Sequence, residues 1–209
     1  MEHGINVNRK NSDSKTPIFG ACRCGNEAIV KYLLEHNAKI TKTDRWCKQT
    51  PLFYACMDEN IAVIQCLIEH KANINKQDWF CKIPLFYVCE KGSEAVVKYL
   101  VEHKAKVDIF DKDGKTSLFY ACENGNEAII KYLVEKGADI NKEDMYCKFP
   151  LLYACESGNE AVVKCLVENG ADIHKENDDG ETPLLEAFRN GNVAIVKYLK
   201  ELGAQLAQL

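Results

Sequence analysis

Asp111-Lys-Asp-Gly-Lys-Thr-Ser-Leu-Phe-Tyr-Ala-Cys122, followed by Glu123-Asn-Gly-Asn-Glu-Ala-Ile-Ile-Lys-Tyr-Leu-Val-Glu-Lys-Gly-Ala-Asp-Ile-Asn141, returns in variant form along the chain. Its Ser117-Leu-Phe-Tyr block aligns with blocks at Pro17, Pro51, Pro84, Pro150 and Pro183, and successive spacings in the full series are 34, 33, 33, 33 and 33 residues. A second marker, the alanine of Gly-Ala-Asp-Ile, falls at Ala38, Ala72, Ala105, Ala138, Ala171 and Ala204 with the same spacings, so one extra residue lies in the Asp44 to Thr50 loop. A period of this length is the signature of stacked supersecondary units. Cutting at the loop Asp or Asn gives repeats 11–43, 44–77, 78–110, 111–143, 144–176 and 177–209, with 1–10 as the tail of a preceding or partial repeat.

Each repeat reads the same way. A turn such as Asp111-Lys-Asp-Gly114 comes first, then Thr-Pro, with Thr predicted as N-cap and Pro at the first helical position. A short apolar helix follows and breaks at Gly25, Gly92, Gly125, Gly158 or Gly191. The second helix, for example Asn126 to Lys136, is predicted to bury Ala128, Ile129, Leu133 and Val134 and to leave Lys131 and Glu135 in solvent. Gly137 and Gly170 end it as C-cap glycines. Such a pair is too small to bury its own apolar stripe and must stack on its neighbours.

Composition narrows the function. The 209 residues are 46% hydrophobic and 28% charged, which fits a folded chain rather than a disordered one. No apolar run approaches the roughly 18 residues of a membrane span, and the start Met1-Glu2-His3-Gly4 lacks a signal-peptide pattern. A net charge of −4 does not favour nucleic acid or an anionic membrane as partner. Eleven cysteines without a Cys-x-x-Cys pair fit a reducing compartment, so a cytoplasmic or nuclear monomer with free thiols is expected.

The repeat length, Asp-x-x-Gly-x-Thr-Pro-Leu, Gly-Asn-x-Ala-Val-Val-Lys-x-Leu-Val-Glu and Gly-Ala-Asp-Ile-Asn resemble the ankyrin-repeat family over residues 1 to 209. The resemblance implies an all-α repeat solenoid, a stack of helix–turn–helix units joined by β-hairpin-like loops that line one edge of a concave surface. The chain departs from the family pattern in places. The usual His after Thr-Pro-Leu is replaced by Phe53, Phe86, Phe119, Leu152 or Leu185, which predicts hairpins held more by packing. Cys47, Cys81 and Cys147 replace loop glycines and put the standard turn in doubt there, and Glu59 stands in the Gly-Asn pair of the second repeat. His3-Gly4-Ile5-Asn6-Val7-Asn8 aligns with the end of a repeat, so the chain is expected to start inside one. Glu186 and Lys200 at stacking positions mark the last repeat as a cap and a true end.

Catalytic groups must converge, whereas equivalent residues of neighbouring repeats lie ~8–10 Å apart. His36, His70 and His103, at the ends of second helices, are therefore poorly placed to share zinc and read as helix-end histidines. Cys22, Cys56, Cys89, Cys122 and Cys155 read as small buried filler, as do Cys66 and Cys165. Tyr54, Tyr87, Tyr120 and Tyr153 read as structural, each hydroxyl with a polar partner. No catalytic or metal site and no cofactor is expected, and the chain reads as no enzyme.

The loop tips are different. They present Arg45, Trp46, Trp79, Phe80, Met145 and Tyr146, with Phe110 just ahead of the fourth tip. Folding does not require large apolar groups at exposed loop ends, and such residues are enriched at binding hot spots. Asp58, Glu90, Glu123 and Glu156, on the exposed ends of the first helices, would form an acidic floor beside them. The reading is a non-catalytic module that binds a protein partner through these residues. The alternatives are a nucleotide or small ligand stacked on Trp46 or Trp79 beside Lys48 or Lys82, or a targeting or spacer segment of a longer protein. Packing of the tip aromatics on one another, reactive tip thiols, and hydroxylation of Asn8, Asn75 and Asn141 are weighed beside it.

Overall fold

The computed structural model describes residues 6–204, so His3, Gly4 and Ile5 of the first tail and residues 205–209 of the sixth repeat lie outside the described residues. The chain divides into two compact units, Met1–Lys106 and Val107–Leu209. The first holds α1 (Pro17–Arg23), α2 (Glu27–Glu35), α3 (Pro51–Met57), α4 (Ile61–Glu69), α5 (Pro84–Lys91) and α6 (Glu94–Glu102). The second holds α7 (Ser117–Asn124), α8 (Glu127–Glu135), α9 (Pro150–Ser157), α10 (Glu160–Glu168), α11 (Pro183–Arg189) and α12 (Val193–Glu201). There is no strand among the described residues, and the fold is an all-α repeat solenoid. None of these helices is long and apolar enough to cross a membrane.

Proline at the first helical position starts α1, α3, α5, α9 and α11, where its fixed φ is preorganised for the helix. The predicted Thr caps are corrected: only Thr182 accepts a bond, from Leu185 N at 3.2 Å, while Thr16 Oγ1 and Thr116 Oγ1 are buried without a partner. The residue before the helix instead lends its backbone carbonyl to the third helical N–H, as in Phe53 N to Thr50 O at 3.1 Å and Phe86 N to Ile83 O at 3.1 Å. Side-chain capping does occur at second helices, where Asn26, Asn126 and Asn159 accept from Ile29, Ile129 and Val162.

The left-handed residue that ends each second helix is Gly137, Gly170 or Gly203 in the later repeats but Asn37, Lys71 or Lys104 in the earlier ones. Glu59 likewise takes the positive φ of the glycine it replaces. In the first unit α3 packs between α1 and α5, and α2 lies on α4; in the second α9 packs between α7 and α11, and α10 between α8 and α12. The cores centre on fully buried Phe19, Phe53 and Phe86 in the first unit and Phe119, Phe149 and Leu152 in the second. Each such side chain contributes about 1.5–3 kcal/mol of burial. On α8 the buried stripe is Ile129, Ile130 and Leu133, whereas Ala128 is exposed and Val134 half-buried, so the predicted face is shifted.

Candidate partner-binding surfaces

The loop ends are built on the Asp or Asn that opens each repeat. Asp78 Oδ1 accepts from Phe80 N at 2.8 Å and Lys82 N at 3.0 Å, while Oδ2 accepts from Tyr87 Oη at 2.6 Å and Gln49 Nε2 at 3.1 Å. Tyr54, Tyr120 and Tyr153 donate in the same way to Asp44, Asp111 and Asp144. The expectation of loops held more by packing is therefore corrected, because a tyrosine hydroxyl supplies a polar brace. The Tyr54 and Tyr153 rings also stand edge-on to the phenylalanine of the preceding repeat, with centroids 5.4 Å apart for Phe19–Tyr54 and 5.7 Å for Phe119–Tyr153.

The turn survives without glycine. Cys81 and Cys147 take φ of 59° and 55°, beside 80° at Gly114. In the second repeat the extra residue moves the left-handed position to Lys48, φ 57°. Backbone bonds tie successive tips within a unit: Arg45 N to Asp13 O and Trp79 N to Cys47 O, both 2.8 Å, and Met145 N to Asp113 O at 2.9 Å.

On this frame the apolar tip residues stand in solvent. In the first unit Trp46 is 65% exposed and Trp79 and Phe80 are each 51% exposed; in the second Phe110, Met145 and Tyr146 are exposed to a similar degree. Among the described residues no ring pair joins Trp46 to Trp79 or Phe80, or Phe110 to Tyr146. Polar neighbours hold the indoles: Trp46 Nε1 donates to Asp13 Oδ1 at 3.3 Å, the Arg45 guanidinium lies 5.6 Å from the Trp46 ring and Lys48 Nζ lies 5.0 Å from the Trp79 ring. Lys82 lies over Tyr87.

The acidic residues are exposed in both units: Asp58 and Glu90 in the first, Glu123 and Glu156 in the second. In the second unit lysines meet these carboxylates. Lys115 Nζ pairs with Glu123 at 2.6 Å and Lys148 Nζ with Glu156 at 2.7 Å, each lysine reaching from its loop to the end of the first helix. Both ammonium groups also lie against the Tyr153 ring.

Two of the tip thiols, Cys47 and Cys147, are held toward the protonated form. Loss of solvent, and then the Asp44 carboxylate, push the Cys47 thiol up, and a hydrogen bond to Asp178 at 3.2 Å raises Cys147. A raised thiol holds less thiolate at neutral pH. His36, His70 and His103 each place Nδ1 within 2.7–2.8 Å of the carbonyl four residues back on their own helix. Asn8 and Asn75 bridge to the next repeat through Asn37 O with Lys39 N, and Lys104 O with Lys106 N. Asn141 Oδ1 accepts from Asp172 N. Among the described residues no group of three or more His, Cys, Asp or Glu is arranged to hold a metal ion. A cavity at the first repeat, beside Gly20, was not anticipated; its signal in the sequence is a glycine in the tyrosine column.

The profile described as ankyrin repeats in three copies matches residues 1–78 and 79–144, and that described as ankyrin repeats in many copies matches 151–199. No curated protein sequence matches the chain. Among solved structures, the ankyrin repeat domain of human ASB11 superposes with a TM-score of 0.83 at 25% identity, covering 98% of this chain and 90% of that one.

Proposed function

The chain belongs to the ankyrin-repeat family, and from that premise we propose that it binds a protein partner through its exposed loop ends. Ankyrin repeats generally mediate protein–protein interaction, and the fold is typically non-catalytic. The observation that carries the reading is the exposure of large apolar side chains on braced turns, Trp46, Trp79 and Phe80 in one unit and Phe110, Met145 and Tyr146 in the other. A rigid turn presenting an aromatic ring loses little conformational freedom on binding, so more of the buried area appears as affinity. Arg45 and the unit's acidic residues Asp58 and Glu90 would set orientation at the rim of the first unit; Glu123 and Glu156, held by lysines, would do so in the second. The chain acts as a monomer, with neither nucleic acid nor membrane as partner.

The test is affinity capture from source-cell lysate with the wild type and with Trp46→Ala/Trp79→Ala. A protein retained by the first and lost from the second is the expected result. Identical catches would remove the first unit's loop ends from the binding surface.

A further inference from the structure

Three columns of the repeat break together in the first repeat. Gly20 stands where later repeats have Tyr54, Tyr87, Tyr120 and Tyr153; Asn11 stands where they have Asp44, Asp78, Asp111 and Asp144; Arg23 stands where Glu90, Glu123 and Glu156 occur. The result is an open cavity of about 660 Å³ within the first unit. Phe19 and Tyr54 wall it, Asn11, Lys15 and Arg23 reach it, and no carboxylate lines it. A Cβ placed on Gly20 would meet nothing within 4 Å.

The sixth repeat, which also opens with Asn, identifies what such residues hold. Asn177 and Arg189 occupy the positions of Asn11 and Arg23. Asn177 Nδ2 donates to Glu181 Oε2 at 3.1 Å, and Arg189 Nη1 pairs with Glu181 Oε1 at 2.8 Å, so the two side chains grip one carboxylate. Asn177 Oδ1 meanwhile accepts the N–H groups of Asp179 and Glu181, as Asn11 Oδ1 accepts those of Asp13 and Lys15. The two amides are thus turned the same way. The counterpart of Glu181, however, is Lys15. Asn11 and Arg23 both line the cavity and lack that anion.

The fourth repeat gives the same answer from the lysine side. Lys115 lies 4.7 Å from the Tyr153 ring centre and pairs with Glu123; Lys15 lies 4.8 Å from the Tyr54 ring centre and has Arg23 in place of that glutamate. Among the described residues neither Lys15 nor Arg23 makes an ion pair. Four cations, Arg9, Lys10, Lys15 and Arg23, and an amide donor therefore line a cavity far larger than a bare anion requires, with aromatic walls beside them.

We propose that the first repeat binds a carboxylate side chain of an acidic peptide segment in a protein partner. The carboxylate lies among Asn11 Nδ2, Lys15 and Arg23, and a neighbouring apolar side chain lies against Phe19 and Tyr54. This rests on the reading of the chain as a protein-binding module, but it uses none of the exposed loop aromatics.

The test is fluorescence polarisation of the full chain with short labelled peptides of alternating Glu and Leu, and with the same peptides carrying Gln for Glu. The Glu peptides should bind at least about tenfold more tightly, with the difference shrinking in salt. Lys15→Glu rebuilds the internal pair of the sixth repeat, so it should abolish this binding while leaving the melting temperature unchanged or raised. Lys39→Glu, the same charge change outside the cavity, should bind normally, and so should Trp46→Ala/Trp79→Ala. Equal affinity for Glu and Gln peptides, no binding of either at millimolar concentration, or undiminished binding by Lys15→Glu would each overturn the proposal. Inorganic phosphate displacing the peptide as well as excess unlabelled peptide does would overturn it in favour of a simple anion site. Binding lost only with the tryptophans would overturn the clamp and leave the loop-end reading standing.

Discussion

Tyr87 Oη donates to Asp78 Oδ2 at 2.6 Å, and the other oxygen of that carboxylate gathers the Phe80 and Lys82 N–H groups of its own turn. One tyrosine on the first helix thus orders a loop that begins nine residues earlier. Removing the hydroxyl leaves a buried carboxylate short of a donor, a change worth about 1.5–3 kcal/mol. Gln49 Nε2 continues to donate to Asp78, so Tyr87→Phe should fall near the lower figure. Tyr153→Phe should fall nearer the upper, since Lys115, the preceding repeat's counterpart of Gln49, pairs with Glu123 instead. Urea unfolding reads both; midpoints equal to the wild type would dismiss the brace.

The loop tips offer a contrast between glycine and cysteine at one position. A Cβ on Gly114 would lie 2.7 Å from the backbone nitrogen of Met145, at a φ of 80°. Gly114→Ala should therefore destabilise by about 1–2 kcal/mol from the left-handed backbone alone, with the contact added. Cys81→Gly relieves a side chain held at φ 59°. The greater freedom of glycine in the unfolded chain offsets part of that, leaving a gain of at most about 1 kcal/mol. Thermal melting should rank Cys81→Gly above wild type and Gly114→Ala below it, and the reverse order would refute the account.

Legibility in the sequence followed how local each signal was. The register was readable because a fixed spacing needs only counting, and the exposed state of Trp46 and Trp79 followed from their place at turn ends. The Thr caps were not readable: the same residue type caps at Thr182 and leaves Thr16 and Thr116 without a partner, and the difference lies in packing, not in the Thr-Pro dipeptide. The Lys115–Glu123 pair joins a loop to the far end of a helix, a geometry that periodicity does not contain. Ile130 is buried together with Ile129 because α8 has to fill space on more than one side, which a single helical stripe understates. Gly20, Asn11 and Arg23 are plain as letters, but nothing in the sequence places them around one cavity.

Trp46 and Trp79 separate binding from stability. Both are more than half exposed, and their polar contacts are at the surface. Trp46→Ala and Trp79→Ala should each change unfolding free energy by no more than about 0.5 kcal/mol, as surface substitutions do. A loss of 2 kcal/mol or more, roughly the size of a core truncation, would return the indoles to a structural role.

Alkaline pH tests the buried cysteine column. Burial pushes the Cys22 and Cys155 thiols from their ordinary 9.0 to about 12, and burial followed by the Asp hydrogen bond raises Tyr54, Tyr87, Tyr120 and Tyr153. In each case the folded chain keeps a proton that the unfolded chain gives up sooner. The stabilisation is complete below the unfolded values, near 9 for the thiols, and is lost as pH rises through the folded ones. Each thiol in that window lowers unfolding free energy by about 1.4 kcal/mol per pH unit. Denaturant stability measured from pH 8 to pH 10.5 should therefore fall, and Cys22→Ala/Cys155→Ala should fall less steeply while starting lower for its lost packing. Parallel curves for the two proteins would mean that the thiols titrate alike in the folded and unfolded chain, and that burial in the first-helix column does not hold their protons.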